Sequence, residues 1–145
     1  MDLSKNPPRS AKDKIAGLTM AARTVDKAKA HAAGTTGEYN YDCPMDNKIF
    51  EFLGVDGQTF EDAVKNASDS QIEAYIKGLL AGKAAGDIAA FNERLLNLAP
   101  APGSDGEKYF LDLRNQVAPD RTDVTTWPDL LDLDEKRQVP HRVAV

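Results

Sequence analysis

Apolar residues in this chain return at three- and four-residue steps, but only in short runs, each cut off by glycine, proline or a capping residue. That punctuation constrains the fold more than anything else here: from residue 45 onward it specifies a series of short helices. Met45, Ile49, Phe52 and Leu53 form a run that stops at Gly54. Phe60, Ala63, Val64 and Ala67 follow from a start near Asp56 to Thr59, and Ser68 with Gln71 makes a capping box ahead of Ile72, Ile76, Leu79 and Leu80. After a glycine-containing turn come Ile88, Phe91, Leu95 and Leu98, ended by Ala99-Pro100-Ala101-Pro102-Gly103. Ser104 and Glu107 open a run through Phe110, Leu113 and Val117. Thr126, Trp127-Pro128 and Asp129 open another with Leu130, Leu131 and Leu133. The expected fold is all-α: a compact single-domain bundle of about six or seven short helices over residues 1–136, with one extended connector and a loosely ordered tail, 137–145.

A chain of 145 residues is one domain by length, and a domain of that size buries about two-thirds of the surface its unfolded chain exposes. Its single Cys cannot pair within the chain, which fits a reducing compartment and excludes zinc sites built on paired cysteines. The start, MDLSKNPPRS, lacks a signal-peptide apolar core, and no stretch is apolar for long enough to span a membrane. A cytoplasmic location is expected. The net charge of −5 argues against a nucleic-acid partner, since phosphate contacts want excess Lys and Arg. Charge is polarised: residues 1–32 carry +4, so the remainder carries −9. This fits attraction within the chain, or a basic patch that collects an anionic ligand.

Ser10 with Asp13, followed by Ile15, Leu18, Ala22 and Val25, predicts a first helix over about residues 10–33, stopped by Gly34. Projected at 100° per residue, its apolar stripe centres on Lys29, with Asp26 at the edge and Met20, Lys27 and His31 on the far face. Asp26 and Lys29, three apart, are placed to pair. Charges on an apolar stripe either snorkel out at the edge of the core or belong to a pocket at that end.

Beyond Gly34 the alternation Tyr39, Tyr41, Cys43 puts two phenols and a thiol on one face of an extended connector. Such a face serves as the edge of a core, or carries a reactive thiol, because Pro44 after Cys43 suits the first turn of a helix and a helix N-terminus activates a thiol. The acids Asp120, Asp123, Asp129, Asp132, Asp134 and Glu135 lack the spacing of a calcium loop and read as a solvated surface. Arg121, Asp123 and Trp127 beside threonines can line a polar pocket.

The stretches DLSKNPPRS, VDKAKAHAAGTTGEYNYDCPMD, FLGVD, NLAPAPG and RTDVTTWPDLLDLDE together resemble a bacterial family, the domain-of-unknown-function 5069 family, over roughly residues 2–136. The resemblance implies a single-domain cytoplasmic bacterial protein and no named activity. The family pattern corresponds here to Asp26-Lys27, His31, Gly34, Gly37, Tyr39, Tyr41, Cys43-Pro44 and Arg121-Thr122-Asp123; the chain departs from it around Gly82 to Gly86 and in the tail.

Three functions fit these residues. The first is binding of a small molecule, anionic or not, in a pocket built from the end of the first helix, the connector and Arg121–Trp127. Its candidate contacts are Arg23, Asp26, Lys29, His31, Tyr39, Tyr41, Cys43, Arg121, Asp123 and Trp127. The second is a small enzyme using Cys43, His31 and Asp26 in the same pocket. A metal site from His31, Asp42, Cys43 and Asp46 matches no ligand spacing, so no metal is expected, and no cofactor is specified. The third is a helical interaction module, with oligomeric state open.

Overall fold

The structure, a computed structural model, describes residues 1–142. Its elements in order are β1 (Lys14–Ile15), β2 (Leu18–Thr19), α1 (Ala21–Ala33), α2 (Pro44–Leu53), α3 (Gly57–Val64), α4 (Asp69–Leu80), α5 (Ala85–Leu96), α6 (Asp105–Val117) and α7 (Trp127–Asp134). Seven helices and one two-residue hairpin among the described residues make this a mostly α protein. No helix among them is long and apolar enough to cross a membrane.

The local signals behind α2, α3, α4, α6 and α7 are realised in detail. Gly54 closes α2 in the left-handed conformation, φ 74°, and Asp56 caps α3 by accepting the Thr59 amide at 2.7 Å. Ser68 and Gln71 exchange hydrogen bonds at 3.2 and 2.8 Å, completing the box that starts α4. Ser104 accepts from the Glu107 amide at 3.1 Å to start α6, and Pro128 occupies the first turn of α7.

The first helix departs from expectation. It begins at Ala21, and residues 14–19 form an antiparallel hairpin in which Ile15 faces Leu18 and Lys14 faces Thr19. The two turn residues, Ala16 and Gly17, have φ of 54° and 81°, as a type I′ turn requires. Partners flanking a two-residue turn are three apart in sequence, which is also a helical step, so Ile15 and Leu18 imitate one face of a helix. Ser10 and Asp13 do interact, at 3.1 Å, but their bond closes a turn rather than opening a helix.

The chain divides into two units, Met1–Asn92 and Glu93–Val145. In the first, α1 is buried almost all round, from Ala21 to Ala28 and at Ala30, and packs on α3 and β1. Val25, Ile49, Phe60, Val64 and Ile76 are fully buried. A train of rings, Tyr41, Phe50, Phe60 and Tyr75, runs through this core with centroids 5.8, 5.4 and 6.2 Å apart. The connector 34–43 makes turns rather than a strand. At Gly37, φ 57°, the N-terminal segment comes so close that a Cβ would lie 2.9 Å from the Ser4 Cα, so only glycine fits.

In the second unit α6 packs on α7, and Phe110, Val124 and Leu130 form a buried cluster with Leu113, Trp127 and Leu133 against it. Trp127 meets Phe110 edge-on at 5.0 Å. The tail beyond residue 136, expected to be loose, carries a buried Val139 and an Arg142 whose amide donates to Asp123 at 2.9 Å; 143–145 lie outside the described residues.

Candidate functional site

In the first unit the charged residues of α1 find partners far away in sequence. Asp26, buried, receives a fork from Arg9: Nε at 3.1 Å and Nη2 at 3.0 Å, with the Arg9 amide adding a third bond at 2.9 Å. These bonds hold the Arg9 guanidinium above its ordinary pKa. Arg23 supports the same segment by donating Nη1 to the Arg9 carbonyl at 3.2 Å, and lays its guanidinium on the Tyr39 ring at 5.5 Å. The expected Asp26–Lys29 pair is therefore not formed; Lys29 donates instead to the Ala67 carbonyl at 2.9 Å.

Lys27, expected on the solvent side, is buried. Its Nζ lies 2.8 Å from Asp46 Oδ2 and 3.2 Å from Cys43 Sγ. Asp46 is fully buried and also accepts from Thr24 Oγ1 at 2.9 Å and the Cys43 amide at 3.3 Å. Cys43 is the N-cap of α2 and Asp46 its third residue, so the two form a capping box while Lys27 balances the carboxylate from outside. The half-buried Cys43 sulfur thus sits between an ammonium and a helix N-terminus, the two surroundings that activate thiols.

His31 contacts Glu61, not Asp26 or Cys43: its Nδ1 lies 2.5 Å from Glu61 Oε1. Its ring is 5.3 Å from that of Tyr41, whose hydroxyl donates to the Gly57 carbonyl at 2.6 Å. Burial, then the nearby Asp46 and Glu61 carboxylates, push the Tyr41 phenol up.

The exposed face of Arg9 opens onto a cavity of about 240 Å³ in the same unit. Lys14, Ile15 and Ala16 of the hairpin line it on one side, and Asp69, Ile72 and Glu73 of α4 on the other. Arg9 was not anticipated as a site residue. Its signal was the extended Asn6-Pro7-Pro8 that precedes it, together with a buried acid on α1 in need of a cation. Asp46 entered only as a metal candidate and Glu61 not at all, because ion partners separated by many residues leave no spacing to read. Among the described residues no group of three or more His, Cys, Asp and Glu side chains is gathered closely enough to hold a metal ion.

In the second unit Arg121 closes on its neighbour. Its Nε and Nη2 reach Asp123 at 2.9 and 3.1 Å, and Nη2 also donates to the Pro140 carbonyl at 3.2 Å. That fork, with the Arg142 amide, holds the Asp123 carboxyl well below the usual carboxylate range. Trp127 packs on Phe110 and donates its amide to the Leu98 carbonyl at 2.8 Å.

No curated protein matches this sequence. The sequence does match, over residues 5–137, the family described as Domain of unknown function (DUF5069); the match takes in Arg9, Lys27, Cys43 and Arg121 alike, and the chain belongs to that family.

Proposed function

We propose that this chain is a bacterial, cytoplasmic small-molecule-binding protein, and that an anionic group of its ligand docks against Arg9 in the cavity between the hairpin and α4. The observation that carries the reading is the Arg9 fork: a guanidinium 45% exposed, held rigid by a carboxylate only 7% exposed, at the mouth of an open cavity. Holding a cation in place before the ligand arrives removes an ordering cost from binding. Asp26 and Arg23 keep their place among the binding residues as supports of Arg9, one through the fork and one through the carbonyl. Thermal unfolding of the full chain against a panel of small carboxylates and phosphates tests it. A melting temperature that climbs with ligand concentration is expected, with Arg9→Lys, which keeps charge but loses the fork, binding less tightly. No saturable shift with any member of the panel refutes the reading.

A second reading, a small enzyme with Cys43 as nucleophile, draws on the 3.2 Å contact between Lys27 Nζ and the sulfur. Asp26 and His31 are engaged by Arg9 and Glu61, so in this reading the charge beside the thiol is that of Lys27. Alkylation by iodoacetamide should then be faster than for an unstructured cysteine peptide at the same pH. Equal rates for protein and peptide would sink the idea.

A further inference from the structure

The charges around the Arg9 cavity are divided between its walls. One wall is basic, with Arg9 and Lys14; the other is acidic, with Asp69 and Glu73. Asp69, Ile72 and Glu73 are spaced three and four apart on α4 and share one face, so two like charges stand a turn apart with an apolar residue between them. Buried Ile72 and half-buried Ile15 supply the apolar surface. Among the described residues neither Asp69 nor Lys14 forms an ion pair, and Glu73 has only Lys77, at 3.6 Å on the exposed side of α4.

A purely anionic ligand suits this cavity poorly. Asp26 already offsets Arg9, and the approaching anion meets both α4 carboxylates. A molecule with a cation at its other end turns that repulsion into attraction and relieves the repulsion between Asp69 and Glu73. The volume, about 240 Å³, lies below the roughly 300–1,000 Å³ of pockets for drug-sized ligands.

Resting on the proposed function, and narrowing it, we infer that the ligand is a small zwitterion, an amino carboxylate. Its carboxylate lies on Arg9 and Lys14, its ammonium on Asp69 and Glu73, and its carbon skeleton on Ile15 and Ile72.

Three probes of one skeleton test this on the full chain by titration calorimetry: L-leucine, isocaproate, which lacks the ammonium, and isoamylamine, which lacks the carboxylate. Leucine should bind about fivefold to tenfold more tightly than isocaproate, the scale of two partly exposed ion pairs, and isoamylamine more weakly than leucine. In the double variant Asp69→Asn, Glu73→Gln, leucine should fall to the affinity of isocaproate while isocaproate loses nothing. Both substitutions are isosteric and on exposed positions, so the fold is kept, and circular dichroism verifies it. Isocaproate equal to leucine in the wild type overturns the zwitterion and leaves the anion site standing. Binding of phosphate or another carboxylate without any binding of leucine does the same. Silence from every probe and from the wider anion panel removes the site itself.

Discussion

The two units use the same chemistry, arginine and lysine against aspartate, but leave different groups open to solvent. Around α1 the pairs join residues far apart, Arg9 to Asp26 and Lys27 to Asp46, and the carboxylates are only 7% and 0% exposed. Each pair leaves something on offer: a half-exposed guanidinium in one, a half-buried thiol in the other. Around Asp123 the pairs close on themselves. Arg121 holds its neighbour two residues on, and Arg142 takes Asp123 through its amide and Asp129 through its side chain at 2.9 Å. Arg9 is held from one side by a buried anion and keeps a face open to its cavity, whereas Arg121, only 14% exposed, is closed between Asp123 and the Pro140 carbonyl.

The largest expected effect strikes the buried pair. Lys27→Met removes the cation from a fully buried carboxylate, and loss of one partner of such a pair costs about 3–5 kcal/mol. Arg142→Ala removes a half-exposed cation from Asp129, which is 6% exposed, and should cost less than Lys27→Met because water still reaches that cation. Urea denaturation of both variants measures the contrast, and equal losses would erase the distinction between the units.

A smaller effect separates them by pH. Tyr41 has a raised pKa in the folded chain, so the unfolded chain ionises first. Its contribution is complete below about pH 10 and is lost as pH rises past that value. Asp123 has a lowered pKa, so its contribution is present above the ordinary value of 3.8 and fades as pH falls below it. Tyr41→Phe should therefore flatten the alkaline limb of the urea midpoint and leave the acid limb alone, and Asp123→Asn the reverse. If each variant altered both limbs, these assignments would be wrong.

The smallest effect concerns the hairpin. Ala16→Gly places at φ 54° the residue that adopts it without strain, and should raise stability by a few tenths to about 1 kcal/mol. A loss would show that the Ala16 methyl packs usefully at the cavity.

Much of this was legible in the residues. Ser68 with Gln71, Asp56 before Thr59, Gly54 after Leu53 and Trp127-Pro128 each act within four residues, so periodicity and capping alone determined α2 to α7 and hence the mostly α class. Pro44 also showed that Cys43 stands at a helix start, whereas the shared face expected of Tyr39, Tyr41 and Cys43 was not formed, because the connector turns and each finds a different partner. Only the tertiary structure decided the rest. Ile15 and Leu18 fit a helix and a hairpin equally at their spacing, and the choice fell to the hairpin through contacts from residues such as Asn92, whose amide donates to the Gly17 carbonyl at 2.8 Å and whose carbonyl accepts from the Thr19 amide at 2.9 Å. The direction of Lys27 was misread for a similar reason. A helical projection assumes one wet face, and α1, enclosed on nearly every side, has none; a charge there points to wherever a countercharge lies, and Asp46 is 19 residues away.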